Sequence, residues 1–249
     1  MTPPWREFPY EGVSLDIDGT LYSLGWFKLQ LGLRRLGDVR VWIAMEKVRK
    51  RLRREGVQAD EMGREVAEAM ALRLGRPATE VAQKVEAMLS EDWPMLLGHV
   101  GPYAGVKPLL DALDAANVPV VLTSDYPGLH KATALGLDPA RFLAVIDATA
   151  TGGLKPRPEP YVAALEALGL VDAPERALHV GDSLELDVLG AAGVGMHTAL
   201  VGPGKRSERR RDLGASPTWS FPSMDAFALA VIEALGGERF RPGCLGLAR

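Results

Sequence analysis

Four short apolar runs, Val13 to Ile17, Val118 to Ser124, Phe142 to Ile146 and Ala177 to Gly181, constrain this chain more than any other feature. Each is too short for a stable helix and apolar without alternation, as a strand buried on both faces must be. Helical patterns separate the later runs: Leu109, Leu110 and Leu113 follow Gly105, and Val162, Leu165 and Leu168 follow Pro158 and Pro160. Strands that alternate with helices imply an α/β fold built on a doubly wound parallel sheet.

The first interval breaks that rhythm. Ile17 and Val118 lie about 100 residues apart, whereas one strand-helix-strand unit needs only ~30. The excess reads as helix after helix: Val39 to Arg54, Ala59 to Leu74 and Thr79 to Leu89, broken at Gly37-Asp38, Gly56 and Gly75-Arg76-Pro77. The sequence therefore predicts a core domain made of residues 1–25 and 98–249, with a helical domain, residues 26–97, inserted after the first strand. Past Thr198 come a basic stretch, Lys205 to Arg211, a short strand at Thr218 to Phe221 and a helix from Ser223 to Leu235, and the last dozen residues are expected to be loosely ordered.

At 249 residues, 47% hydrophobic and 24% charged, the composition is that of a globular protein with enough apolar surface for a sizeable core. Its 29 basic and 32 acidic residues leave a net charge of only −3, so no global field recommends nucleic acid or an anionic membrane as a partner. Cys244 is the only cysteine, which excludes an internal disulfide and a cysteine-clustered metal site. No secretory pattern follows Met1, and no apolar run approaches the ~18 residues of a membrane span. A cytoplasmic location is the expectation.

Four clusters carry chemistry, and all fall at or just after the ends of predicted strands. In Leu15-Asp16-Ile17-Asp18-Gly19-Thr20, two carboxylates stand where a buried strand runs out. At the C-terminal end of a parallel strand they face the crevice in which open α/β sheets bind ligands. Taken alone, Asp-Ile-Asp-Gly is also an ordinary turn. In Thr123-Ser124-Asp125, either hydroxyl and the N–H that follows can donate to a phosphate oxygen. Counting from the turn at Asn117 favours Ser124, and a plain helix cap is the alternative. In Gly152-Gly153-Leu154-Lys155-Pro156-Arg157-Pro158, glycines and prolines fix where the ammonium of Lys155 points, although a loop lysine is commonly just solvated. In His179-Val180-Gly181-Asp182-Ser183, Ser183 can cap the next helix, with Asp182 at its mouth and Asp187 in its first turn.

Four such coincidences point to one site. Asp16, Asp18, Asp182 and Asp187 against Lys155 give that site a formal charge of −3, which repels a phosphate dianion. A hard divalent cation held by carboxylate oxygens reverses the balance, and Mg²⁺ fits such ligands. With neither cysteine nor a pair of histidines at ligand spacing in the clusters, zinc does not fit.

At these clusters the sequence resembles the haloacid dehalogenase superfamily, whose pattern is Asp-x-Asp-Gly-Thr, a strand-end Ser or Thr, a Lys before Pro, and Gly-Asp-Ser with a later Asp. The match covers residues 10–24 and about 100–202, and the insertion is similar to the helical cap that one branch of that superfamily carries between its first two motifs. The resemblance implies a Rossmann-like core and a phosphatase in which Asp16 attacks phosphorus while Asp18 protonates the leaving oxygen and then activates water. It implies Mg²⁺ bound by Asp16, the backbone carbonyl of Asp18, and Asp182, with Asp187 close by or bound through water. Ser124 and Lys155 would hold the phosphoryl oxygens of a small phosphorylated metabolite. Dehalogenases of the superfamily lack an acid at the position of Asp18, because halide leaves without a proton. Thr123-Ser124-Asp125 departs from the frequent Thr-Asn pairing at the second motif.

Two other readings share these residues. Receiver modules that accept a phosphoryl group also combine paired acids, a hydroxyl and a lysine, but have no room for the insertion. A phosphotransferase or mutase would use the same intermediate with an acceptor other than water. Residues 21–60 hold ten basic side chains against four acidic ones, an excess that could steer an anionic substrate but is more expected of a solvated helix face. Trp26, Trp42 and Trp93 could line the inner surface of the insertion, with core packing the expected use for most of them. Gly190-Ala-Ala-Gly193-Val-Gly195 has the wrong order and follows a helix, so it is not a dinucleotide fingerprint.

Overall fold

The computed structural model describes residues 5, 7–34, 36–55, 59–202 and 216–236. Six strands form its sheet: β1 Gly12–Asp16, β2 Val120–Ser124, β3 Ala144–Asp147, β4 Ala177–Gly181, β5 His197–Val201 and β6 Trp219–Phe221. Their order is β3-β2-β1-β4-β5-β6, and every neighbouring pair is parallel. This is the expected doubly wound α/β sheet, and its strand order reverses between β1 and β4. A crevice opens at that reversal, outside the carboxyl ends of the strands. The register sets Asp16 beside Thr123 and Leu15 beside Val180, so the chemically marked strand ends converge there.

The apolar runs become β1 to β4, with small shifts at their edges. β2 starts at Val120, after a turn at Asn117 with φ 54° and after Pro119, which has no N–H to give a ladder. β5 escaped the sequence reading because His197 and Thr198 interrupt its apolar run. Both find partners distant in sequence: His197 Nδ1 lies 3.1 Å from the Tyr10 hydroxyl, and the N–H of Thr198 donates to Thr218 Oγ1 at 3.0 Å.

Between β1 and β2 run α1 Leu24–Arg34, α2 Leu36–Glu55, α3 Ala59–Leu74, α4 Ala78–Ala87 and α5 Trp93–Val100. The expected break at Gly37-Asp38 is not there, since α2 begins at Leu36 and carries both residues. After α4 a π-helical turn, Met88–Asp92, passes directly into α5. The break after Leu74 is real, with Gly75 at φ +66° and Pro77 flanking the next start.

The remaining helices cover the sheet: α6 Val106–Ala115, α7 Gly128–Ala134, α8 Glu159–Leu168, α9 Leu189–Gly193 and α10 Met224–Ala234. Leu109, Leu110 and Leu113 of α6 join Phe227 and Val231 of α10 in the main core, which extends without a gap through Phe27, Met45, Met70, Trp93 and Leu96 of the inserted helices. Tyr161 and Leu165 of α8 pack with Ala177 and Ala191 in a second cluster. No helix among the described residues is long and apolar enough to cross a membrane. The basic stretch Lys205 to Arg211, the last dozen residues and Cys244 lie outside the described residues.

Candidate active site

Asp16 ends β1 and is nearly buried, with 6% of its surface exposed. Thr20 donates to its Oδ2 at 2.8 Å and Lys155 to its Oδ1 at 2.8 Å, so both carboxylate oxygens are aimed. The turn that follows, Asp18-Gly19-Thr20, closes through the Leu21 N–H to the Ile17 carbonyl at 3.0 Å. Gly19 sits at φ +93°, and a Cβ there would lie 2.7 Å from Asp182 Oδ2. Only glycine both turns the chain and lets Asp182 approach.

Lys155 is buried in the middle of the crevice. Its ammonium donates to Asp16 Oδ1, to Asp187 Oδ1 at 2.9 Å and to the Thr123 carbonyl at 3.3 Å. Burial works against that charge, but Asp16 and then Asp187 outweigh it and hold the Lys155 pKa well above the ordinary lysine value. Burial is also the main reason that Asp16 is raised well above the usual carboxylate range: Lys155 opposes it, while Asp187, Asp18 and Asp182 add to it. Asp187 goes the other way, because Lys155 and His179 overcome its burial and hold it below that range. Its Oδ2 accepts the Ser183 N–H at 3.0 Å. His179, kept below its ordinary pKa mainly by burial, spans from Ser14 Oγ at 2.9 Å to Asp187 Oδ1 at 3.4 Å. Ser183 caps the turn Leu184–Val188 by accepting the Leu186 N–H at 3.1 Å, as expected, although that turn is π-helical and α9 begins only at Leu189.

Alternation along β2 separates the two hydroxyls at its end. Ser124 Oγ donates to Asp18 Oδ2 at 3.3 Å. Thr123 Oγ1 is buried without a hydrogen-bond partner, and only the Thr123 carbonyl reaches the site. Asp18 also accepts the Tyr22 hydroxyl at 2.6 Å. A third partner of Asp18 was absent from the sequence reading: Lys131 of α7, whose ammonium meets Asp18 Oδ2 and lies 3.0 Å from Ser124 Oγ. Burial lowers the Lys131 pKa, with Asp18 opposing. A signal for it existed, since Gly128, Lys131, Ala132 and Leu135 are all buried at helical spacing and Lys131 stands in that stripe.

Asp125 borders the cavity, and both of its carboxylate oxygens are engaged by protein groups. Oδ1 accepts the Lys155 N–H at 3.0 Å and Oδ2 pairs with Arg53 of α2, while Arg49 donates to the Asp125 carbonyl. The Arg49 guanidinium also lies 3.9 Å from the Tyr126 ring centroid, and the Tyr126 hydroxyl donates to Glu46. Two arginines expected on a solvated face therefore clamp the inserted helices onto the second motif. Arg49 follows the buried Met45 by four residues, and Arg53 follows Arg49 by four, which sets both on the inner side of α2.

Above Asp16 lies a cavity of about 230 Å³ walled by Leu24, Lys28, Trp42, Arg53, Trp93 and Tyr126. Of the three tryptophans, Trp93 packs in the core and borders the cavity, Trp42 borders it, and Trp26 is 47% exposed to solvent. Oxygens of Asp16, Asp182 and Asp187 all lie within 4.8 Å of one another. That set, carboxylate only, suits a hard cation of the magnesium class. Asp18 contributes no carboxylate oxygen to it, its side chain being taken by Lys131, Ser124 and Tyr22.

Comparison with known proteins agrees with this geometry. Residues 10–195 match the family model described as haloacid dehalogenase-like hydrolase. A comparison with curated proteins gave no significant match. Among solved structures, the magnesium-bound Bacillus subtilis protein YfnB shares 17% identity at a TM-score of 0.64, over 90% of this chain and 99% of that one. L-2-haloacid dehalogenase from Xanthobacter autotrophicus shares 20% at 0.61, over 88% and 97%. A HAD phosphatase from Thermococcus onnurineus shares 21% at 0.55, over 92% and 100%. At these identities the likeness is one of fold, and it spans phosphatase and dehalogenase alike. The family match covers most of the chain and includes all four motif clusters, so the protein belongs to the haloacid dehalogenase-like hydrolases.

Proposed function

We propose that this protein is a magnesium-dependent phosphohydrolase that cleaves a small phosphate monoester through an aspartyl-phosphate on Asp16. The observation that carries the reading is Asp18, a carboxylate beside Ser124 in the crevice that Asp16 faces. A halide leaves without a proton, so a dehalogenase has no use for this acid, whereas an alkoxide leaves poorly without one. The magnesium-bound neighbour and the oxygen-only cluster support the choice of metal.

Each side chain then has a task. An Asp16 oxygen forms a bond to phosphorus as the bond from phosphorus to the leaving oxygen breaks, and Asp18 gives that oxygen its proton. Lys155, already on Asp16 Oδ1, balances charge as the nucleophile is consumed, and Ser124 donates to a phosphoryl oxygen. Asp18, now a base, takes a proton from water, which attacks phosphorus and frees Asp16. Asp16 and Asp182 would hold Mg²⁺ together with the Asp18 carbonyl, Asp187 directly or through water, and the bound ion would offset the negative charge of the carboxylates and the phosphoryl group. The cavity's size favours a small phosphorylated metabolite. Phosphate release from a panel of such metabolites, run beside halide release from 2-haloacids, tests the reading. Halide release without phosphate release would overturn it, and transfer to an added sugar in place of water would assign a phosphotransferase.

A further inference from the structure

Lys131 lies outside the four motif clusters, and the reaction just described does not use it. It is nonetheless one of the most deeply buried charges in the protein, 2% exposed. Burying an ammonium is costly unless it is paired, and here the pairing is with the site itself. The ammonium meets Asp18 Oδ2 and Ser124 Oγ, and lies 4.7 Å from the ring centroids of both Trp93 and Tyr126. Those rings come from both sides of the crevice, Trp93 from the inserted helices and Tyr126 from the loop after β2. They close off the ammonium with aromatic faces, which attract a cation. Asp18 stands on a turn, not on a regular element, and its Oδ1 is held by the Tyr22 hydroxyl. Without Lys131, its Oδ2 would keep only the 3.3 Å contact from Ser124.

We propose that Lys131 is a positioning residue, which fixes the carboxylate of Asp18 and the hydroxyl of Ser124 in one arrangement for proton transfer. The proposal rests on the phosphohydrolase reading. It makes the pair of Lys131 and Asp18 a unit, and units of this kind lose function non-additively when cut at either end.

The test compares wild type, Lys131→Met, Lys131→Arg, Asp18→Asn and the Lys131→Met/Asp18→Asn double variant, each checked for a cooperative thermal transition. Rapid mixing with p-nitrophenyl phosphate reads the first step as a nitrophenol burst, because nitrophenolate leaves without a proton, and the later turnover reads water activation. Lys131→Met should keep a burst near one per site while its turnover falls about 10²-fold, the effect typical of a misplaced reacting group. Its KM should fall along with kcat, leaving kcat/KM for this substrate nearly unchanged; Lys131→Arg should recover part of the loss of turnover, and the double variant should be little worse than Asp18→Asn alone. A burst reduced in proportion to turnover would mark a general structural role, and a raised KM at unchanged kcat would mark a phosphate ligand. Either result, or full additivity with Asp18→Asn, overturns the proposal. Should Lys131→Met fail to fold, Lys131→Gln carries the same cycle. Wild type inactive on every phosphate monoester overturns the parent reading and this one with it.

Discussion

Ser124 and Thr123 are adjacent hydroxyls that the sequence offers as near equals, and the strand divides them. Ser124 faces Asp18, whereas Thr123 faces away and has a buried hydroxyl with no partner. Ser124→Ala should lower kcat/KM about 10–10²-fold, the worth of a hydrogen bond to a charged group. Thr123→Val, which keeps the shape and drops an unpaired hydroxyl, should leave kcat/KM unchanged and the protein no less stable. Steady-state kinetics and thermal melts of the two variants check this; equal losses would mean that the alternation argument is wrong. Asp16 and Asp182 stand out in the sequence because each lies where an apolar run ends, a place where packing alone does not ask for charge, whereas Lys155 stands out by its Gly/Pro frame and Asp187 by its place after the Ser183 cap. Lys131 does not, because a lysine in a short helix between Leu129 and Ala132 reads as solvated unless the buried stripe is traced first.

Among the elements, the strands announced themselves wherever both faces were apolar, and β5 stayed hidden because His197 and Thr198 are satisfied by partners distant in sequence. The glycines near α9 show a similar limit. Gly190 looked like part of a nucleotide fingerprint in the wrong order, and its reason is packing: a Cβ there would lie 2.3 Å from the Tyr161 ring. The Tyr161 hydroxyl in turn donates to the Leu186 carbonyl, so α8 props the π-helical turn that carries Asp187. Gly190→Ala should therefore destabilise the protein by about 1–3 kcal/mol, the usual cost of overpacking. Denaturant melts measure this directly, and an unchanged midpoint would show that α9 can shift freely against α8.

For the whole molecule, the inserted helices and the sheet share one core and one clamp, in which Arg49 and Arg53 grip the loop that begins at Asp125. The insertion itself was legible from the long first interval, because a parallel sheet sets a short span between strands. Its inner face was not, since residues of the basic run differ only in which side of α2 they occupy. Trp26 and Arg34 lie at the surface, whereas Lys28 and Trp42 border the cavity. Replacing Lys28 and Trp42 with Ala should reorder kcat/KM among phosphate monoesters, while an unchanged ranking would remove them from substrate choice. Exhaustive chelation should abolish phosphate release and added Mg²⁺ should restore it, since the carboxylates of the site otherwise repel the substrate; full activity after chelation would contradict the metal assignment. The central claim is that Asp16 carries the phosphoryl group between two half-reactions, and Asp18→Asn should arrest the protein between them. Rapid quenching of that variant with p-nitrophenyl phosphate and Mg²⁺, followed by peptide mass spectrometry, should find one phosphoryl group on the peptide containing Asp16 and none when Asp16 is also Asn. An unmodified peptide in a variant that still turns over at the wild-type rate would contradict the account.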